Sequence, residues 1–305
     1  MLVLMLPLFA AQVLASPAPP VASTTVVVPF DFSRSAIGVD VTIKGTPLYM
    51  ILDTGVDPSL IDLARAGTLG LEVDRKESGE ASGFGDGKGA VIFPSSIVQL
   101  AIDGHAFDRF DALATNMDGM SAGYGRKLDG VLGYSFLSDK IVLIDYPLHK
   151  LAILTRAEES AAMTNQCRQH WTTPLLTVDN FPIIPDFRFG NARAPVSLDT
   201  GSNGTMALFQ SALKLPGAQA ALSETGTIKS MGARGGSKAK SYTFNAPVGF
   251  GPFTLPPGQV VSLYRDQGGT DTRVANVGNK LLSALKLKLL LNYRAKTMTF
   301  FGDCP

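Results

Sequence analysis

Short apolar or alternating runs recur along the whole chain, separated by glycine, proline and polar residues. Such runs are typical of β-strands, whose side chains point alternately to the two faces of a sheet. Helical periodicity is confined to two short segments, Ile61 to Leu71 and, more weakly, Gln210 to Ala221. The pattern therefore predicts an all-β chain with many turns. The clearest strands are Thr24 to Phe30, Leu48 to Leu52, Lys150 to Leu154, Val178 to Phe189 and Thr297 to Phe301.

A further apolar stretch, Leu281 to Leu291, is interrupted by Lys286 and Lys288. Alternation of this kind predicts a strand with one exposed face, and we expect both lysines on that face. This interpretation explains them better than a site for a partner.

The same tripeptide occurs twice, as Asp53-Thr54-Gly55 and as Asp199-Thr200-Gly201, each time after a short apolar run. About eighty residues after each copy comes a short element that ends in glycine, at Gly133 and at Gly278. We expect these glycines to be structural and to pack beside the two tripeptide loops. Asp145 and Asn292 follow at matched distances and are expected to form turns at strand ends.

Three features, the tripeptide, the glycine element and the Asp or Asn position, recur at matched spacing. They indicate an internal duplication with a period of 146 residues. A period of this length is typical of two homologous lobes and not of a solenoid. We expect lobe one over residues 24–156, a linker with a short helix over residues 157–170 and lobe two over residues 171–305.

Two Asp-Thr-Gly copies, each followed by the glycine element, resemble the aspartic peptidases of the pepsin and retropepsin type. The resemblance covers roughly Thr25 to Phe301. Val56 and Ser59 make the first copy similar to the bacterial retropepsin-like form, whereas Ser202 makes the second similar to the pepsin-type form. The resemblance implies a bilobal, pepsin-like acid protease fold, with two homologous β-barrel-like lobes and a central cleft.

Asp53 and Asp199 are the catalytic residues that this resemblance implies. Two carboxyl groups held close together share one proton, so that one acts as a base on water and the other as an acid on the peptide carbonyl. This chemistry needs no cofactor and no metal. It predicts an endopeptidase whose partner is a polypeptide substrate, while an inactive peptide-binding module of the same fold is the alternative.

The neighbours of the two aspartates are expected to support them. The threonines bond across the lobe junction in this family, and the glycines allow backbone N–H groups to approach the carboxylates. The hydroxyl of Ser202 is expected to donate to the outer oxygen of Asp199, which Val56 cannot do for Asp53. We therefore expect an asymmetric pair and leave open which aspartate is the more acidic. The supporting residues are Thr54, Gly55, Thr200, Gly201 and Ser202.

Two glycine-rich segments, residues 82–89 and 230–237, lie at corresponding places in the lobes and are candidate flaps over the cleft. Neither a tyrosine nor a phosphate-binding signature occurs in the first of them, which leaves a plain surface hairpin as the alternative. The sequence leaves open whether one flap or both close on substrate. The residues predicted to contact substrate are Gly83, Phe84, Gly85, Met231 and Gly232.

The N-terminus is typical of exported proteins. Leu2 to Ala15 is nearly all apolar, and a proline-rich stretch follows, which predicts a signal peptide over residues 1–15 and a periplasmic or secreted protein. In an oxidising compartment Cys167 and Cys304 are expected to form one disulfide, the alternative being two free thiols. We expect no membrane span in the mature chain.

Composition excludes several other functions. A net charge of +1 and no long basic run give no footprint for nucleic acid. The three histidines, His105, His149 and His170, lie far apart in the sequence and do not have the spacing of metal ligands. Gly133-Tyr134-Ser135 is not the nucleophile elbow of a serine hydrolase. We expect no metal site, and we expect a monomer.

Overall fold

The computed structural model describes residues 25–82, 85–232, 234–264 and 273–305. The predicted signal peptide, residues 1–15, lies outside this part of the chain, as do Gly83 and Phe84 of the first predicted flap. Among the described residues, none of the helices is both long and apolar enough to span a bilayer.

Strands dominate the described structure, and all of its helices are short. The strands are β1 (Val26–Pro29), β2 (Ile37–Ile43), β3 (Thr46–Leu52), β4 (Ser59–Asp62), β5 (Gly79–Glu80), β6 (Val91–Ile97), β7 (Leu100–Ile102), β8 (His105–Phe107), β9 (Phe110–Thr115), β10 (Gly130–Leu132), β11 (Ile141–Asp145), β12 (Lys150–Leu154), β13 (Gln169–Pro174), β14 (Leu176–Val178), β15 (Phe181–Phe189), β16 (Ala192–Leu198), β17 (Met206–Leu208), β18 (Leu222–Gly232), β19 (Gly235–Phe244), β20 (Val248–Phe250), β21 (Phe253–Leu255), β22 (Gln259–Leu263), β23 (Ala275–Val277), β24 (Lys288–Asn292) and β25 (Thr297–Gly302). The α-helices are α1 (Leu63–Thr68), α2 (Asp118–Tyr124), α3 (Tyr134–Leu137), α4 (Ala161–Thr164) and α5 (Asn279–Ala284). Two 3₁₀ helices cover Ala157–Ser160 and Gln210–Lys214.

The described strands form three sheets that give the molecule two lobes. The lobe-one sheet has nine strands in the order β5-β6-β9-β4-β10-β3-β2-β7-β8, and the lobe-two sheet has ten along the order β18-β19-β22-β17-β23-β16-β15-β20-β21, with β14 paired to β15. Strand for strand, the two orders match around the internal repeat. The fold is therefore the all-β, bilobal fold that the sequence predicts.

A third, six-stranded sheet joins the lobes in the order β1-β12-β11-β24-β25-β13. Three of its strands come from the first half of the chain and three from the second, and β11 pairs with β24 at its centre. These two strands are buried along their whole length, because they lie in the middle of the sheet with the lobes packed against it. A disulfide between Cys167 and Cys304, as predicted, ties the segment before β13 to the end of β25.

Both Asp-Thr-Gly loops start from buried strands that have a parallel neighbour, which explains why the preceding residues are a continuous apolar run. In lobe one, β3 pairs with β10 in parallel, and in lobe two β16 pairs with β23 in the same way. These strands contribute to one extended hydrophobic core, to which the central sheet also belongs.

Several local predictions need correction. Ile61 lies in β4 and not in a helix, since this strand continues the sheet until Asp62, which accepts a hydrogen bond from Arg65 N and so starts α1. The weaker helix of lobe two is only the 3₁₀ turn Gln210–Lys214. The stretch Leu281 to Leu291 is not one strand, because α5 occupies its first part. Lys288 is buried and paired with Asp145 instead of lying on an exposed face.

Candidate active site

The two Asp-Thr-Gly loops meet where the lobes join. Each begins at the end of a central strand, where the backbone N–H of Asp53 donates to Leu132 O and that of Asp199 donates to Val277 O, at 3.0 and 2.9 Å. These equivalent hydrogen bonds anchor each loop to the neighbouring strand of its own lobe. Gly133 and Gly278 follow at once, and a Cβ on either would lie 2.5 Å from a carbonyl oxygen of the loop beside it.

The two threonines lock the loops together. The hydroxyl of Thr54 donates to Leu198 O and accepts from Thr200 N, at 2.9 and 3.1 Å. Reciprocally, the hydroxyl of Thr200 donates to Leu52 O and accepts from Thr54 N, both at 2.9 Å. All four bonds are buried and cross the lobe junction, so they hold the neighbouring aspartates in a fixed relative position.

The carboxyl groups of Asp53 and Asp199 are adjacent, because they share one backbone donor. The backbone N–H of Gly201 lies 3.1 Å from Oδ1 of both aspartates. A second backbone N–H serves each group, since Gly55 N donates to Asp53 Oδ1 at 2.7 Å and Ser202 N donates to Asp199 Oδ1 at 3.0 Å. The two carboxyls thus accept nearly equivalent hydrogen bonds from the backbone.

One side chain breaks this symmetry. The amide of Asn276, on β23, donates to Asp199 Oδ2 at 3.2 Å. The prediction that the hydroxyl of Ser202 does so is wrong: this hydroxyl accepts a long contact from Gly204 N, and Ser202 reaches Asp199 through its backbone. Sequence reasoning overlooked the role of Asn276, because only the register of β16 and β23 places it beside Asp199.

Burial and charge control the titration of the pair. Burial raises the pKa of both carboxyls, because the charged form loses water. The negative charge of Asp199 raises the pKa of Asp53 further. At Asp199 the backbone N–H groups and the charge of Arg273 oppose the effect of burial. The two carboxyls are coupled, so they are expected to share one proton.

A second asparagine, Asn279, fixes the Asp199-Thr200-Gly201 loop of lobe two. Asn279 donates through Nδ2 to Thr200 O at 2.6 Å and to Ser202 O at 3.1 Å. Its Oδ1 accepts from the hydroxyl of Tyr146 in lobe one, at 2.8 Å. Two of these contacts are buried and the one to Ser202 O is partly buried, and together they explain how the start of α5 fixes the Asp199 loop.

The regions behind the two aspartates differ in polarity. Behind Asp53, Ile51 and Val131 belong to an apolar cluster with Met117 and Leu128. Met120 and Tyr124 of α2 pack against this cluster, together with Val56 from the active loop. At the equivalent positions behind Asp199 the chain has Ser197 and Asn276.

The predicted flap segments meet each other across the cleft. Residues 85–88 of lobe one contact the tip of the lobe-two hairpin, which β18 and β19 form. Gly87 N donates to Arg234 O at 2.9 Å, and Arg234 Nε donates back to Gly87 O at 3.0 Å. Gly85 lies against the same tip, since a Cβ there would be 2.4 Å from the Arg234 carbonyl carbon.

The lobe-two hairpin is by far the longer of the two. Met231 and Gly232 end β18, where they pair with Gly236 and Gly235 at the tip. The lobe-one counterpart is only the two-residue strand β5 paired with β6. Helix α2 of lobe one also lies against β18, so the long hairpin contacts lobe one at two places.

Comparison with known proteins agrees with this geometry in lobe one. Residues 39–136 match a protein family described as aspartyl protease. The match spans about a third of the chain, contains Asp53-Thr54-Gly55 and ends before Asp199. It supports a protease-type function. No protein in a search of curated sequences matches the chain.

Proposed function

We propose that the protein is an aspartic-type endopeptidase of the pepsin and retropepsin kind, which hydrolyses peptide bonds in the cleft between its lobes. The observation that carries the proposal is the pair of adjacent carboxyls of Asp53, which is buried, and Asp199, which is partly buried, held by the reciprocal threonine bonds. Burying two carboxyls side by side is costly, and such perturbed pairs are typical of catalytic sites.

In the proposed reaction a water molecule lies between the two carboxyls. The Asp199 carboxylate accepts a proton from this water as the water oxygen attacks the peptide carbonyl carbon. At the same time Asp53 donates its proton to the carbonyl oxygen, which gives a neutral tetrahedral diol. The C–N bond then breaks as Asp199 returns a proton to the amine nitrogen and Asp53 accepts one from a diol hydroxyl.

The residues around the pair each have a role in this scheme. The N–H groups of Gly55, Gly201 and Ser202 stabilise negative charge on the inner oxygens. The roof that residues 85–88 and the lobe-two hairpin form would exclude bulk water once a polypeptide lies beneath it.

The proposal is tested by the isosteric variants Asp53→Asn and Asp199→Asn, assayed on a peptide library at pH 3 to 8. Each change removes one ionisable group and leaves the backbone contacts in place. We expect kcat/KM to fall by about a hundredfold or more in both, the usual scale for losing a general acid or base.

A matched control is Asp103→Asn, since Asp103 lies in an exposed turn at positive φ, which asparagine also tolerates. This control should keep parental activity. Cleavage by either dyad variant at the parental rate would refute the proposal. Absence of cleavage in the parent, together with equal affinity for a hydroxyl-containing transition-state analogue and for the matched peptide, would indicate a binding module instead.

A further inference from the structure

Ser197 and Asn276 form a buried polar pair directly behind Asp199. They are neighbours in the parallel register of β16 and β23, and their exposed fractions are 0% and 2%. A buried hydroxyl and a buried amide are costly unless their hydrogen bonds are satisfied. Here both are satisfied, so the pair has a defined geometry.

The geometry of the pair fixes the direction of the Asn276 amide. The Ser197 hydroxyl contacts Asn276 Oδ1 and lies 3.2 Å from Ala275 O, both of which are acceptors. With its oxygen facing this hydroxyl, the amide directs Nδ2 at Asp199 Oδ2. An amide NH₂ group can only donate, so it stabilises the ionised form of Asp199 more than the protonated form.

Comparison of the lobes shows that the amide donor of Asn276 has no equivalent at the corresponding place in lobe one. Each aspartate accepts two backbone N–H groups on Oδ1. At the positions that correspond to Ser197 and Asn276, lobe one has Ile51 and Val131, which cannot donate a hydrogen bond. The side-chain pair therefore gives Asp199 a hydrogen-bond donor that Asp53 lacks at the equivalent place.

We propose that the Ser197–Asn276 pair is a positioning device that keeps the shared proton on Asp53 and leaves Asp199 as the carboxylate that accepts a proton from water. The assignment rests on the proposed function, which it deepens by naming the residues that give the two aspartates different roles. In this scheme Asn276 acts through Asp199, and Ser197 acts by orienting Asn276.

The other charged and titratable groups near the pair are few among the described residues. Asp199 faces Asp53 and the guanidinium of Arg273, which packs over the ring of Phe181 at 4.5 Å. Asp53 faces Asp199 and the buried Tyr293, whose pKa is raised by burial and then by Tyr134 and Asp53. Arg273 acts on Asp199 in the same direction as Asn276, so the experiment must separate the two.

The test is the pH profile of kcat/KM for Asn276→Leu, which removes the donor at similar volume. Without that donor the ionised form of Asp199 is less stable, so its pKa rises. The acid limb of the profile, where the pair gains its second proton, then moves to higher pH, by about one unit. Ser197→Ala should move the limb in the same direction by a smaller amount.

Val131→Ala, at the equivalent place behind Asp53, is the matched control. It disturbs the strand without changing any hydrogen-bond donor, so the acid limb should stay where it is. A fall in activity that is equal at every pH in Asn276→Leu, or an equal shift in Val131→Ala, would overturn the proposal. A limb that moves only in Arg273→Met would assign the role to the guanidinium.

A second measurement does not depend on activity. Infrared spectra of protein labelled with ¹³C in its aspartate carboxyls, with the Asp53→Asn/Asp199→Asn variant as the blank, follow protonation of the pair directly. We expect the second proton to bind at higher pH in Asn276→Leu than in the parent. This result would support the inference even if no peptide were cleaved, whereas identical titrations would refute it even in an active enzyme.

Discussion

At the scale of single residues, Gly201 makes the tightest demand on the site. A Cβ at this position would lie 2.0 Å from Asp53 Oδ2, which is far inside van der Waals contact. Gly201→Ala must therefore displace either Asp53 or the loop that carries Asp199. Because displacement by about an ångström can cost a hundredfold in rate, we expect kcat/KM to fall by about that factor.

Gly204→Ala is the control for this change, measured in the same steady-state assay. A Cβ at Gly204 would meet its nearest neighbour, Ser202 Oγ, at 3.8 Å, an ordinary contact. The loss of activity should be far smaller than for Gly201→Ala, and both proteins should unfold at similar temperatures. Equal losses in the two variants would show that the close approach at Gly201 is unimportant.

Residues differ in how far the sequence reveals them. The two Asp-Thr-Gly copies could be recognised because all of their chemistry is local and repeated. Asn276 could not, since asparagine in a short segment before glycine is equally typical of a turn. Only the parallel register of β16 and β23 places it beside Asp199, and register depends on contacts between distant parts of the chain.

At the scale of elements, the contact between the flap segments predicts a shared roof with cooperative closure. Two side chains stabilise it: Arg234 Nε donates to Gly87 O at 3.0 Å, and Asp86 Oδ2 accepts from Lys238 N at 3.4 Å. Both bonds are exposed, and each is expected to contribute no more than about 1 kcal/mol to the closed state.

The double variant Asp86→Ala/Arg234→Ala should therefore favour the open state. We expect KM for a long peptide to rise by about three- to tenfold, with a smaller change in kcat, because the roof contributes more to substrate retention than to proton transfer. Lys238→Ala keeps its backbone N–H and should behave as the parent. An unchanged KM in the double variant would mean that the roof closes without these bonds.

Strands and helices were predicted correctly where the hydrophobic period and the position within the internal repeat agree. They were predicted wrongly where contacts with distant parts of the chain determine the local structure. The apolar runs before Asp53 and Asp199 form β3 and β16. Both strands are buried, and burial of a strand produces the continuous apolar pattern by which it was predicted. The stretch Leu281 to Leu291 divided into α5 and β24, since the start of the helix holds the Asp199 loop through Asn279. An alternating pattern alone could not show that β24 would lie in the centre of a sheet.

At the scale of the whole molecule, the duplication places two residue pairs, one charged and one neutral, at symmetric positions in the six-stranded sheet that joins the lobes. Asp145 lies opposite Lys288, and Ile141 lies opposite Asn292. Asp145 Oδ1 and Asn292 Oδ1 each accept a backbone N–H of the following turn, at 3.0 and 2.9 Å. Lys288 Nζ lies 2.9 Å from Asp145 Oδ2, and both side chains are more than nine-tenths buried.

This symmetry suggests a test of stability, in which the charged pair Asp145–Lys288 is replaced by the neutral residues found at the symmetric positions. Lys288→Ile leaves the Asp145 carboxylate buried without a cation, which should lower the free energy of unfolding by about 3–5 kcal/mol. Adding Asp145→Asn keeps the turn bond and reproduces the Ile–Asn pairing at the other end of the sheet. The double variant should recover most of the loss.

Urea unfolding of the parent, both single variants and the double variant measures the coupling between the two positions. Recovery should be incomplete, because Lys288 Nζ also donates to Met163 O at 2.7 Å, and a lost hydrogen bond of this kind costs about 1 kcal/mol. A double variant no more stable than Lys288→Ile would mean that the lysine acts through packing and the Met163 contact. In that case the charge of Asp145 would not determine how firmly the lobes are joined.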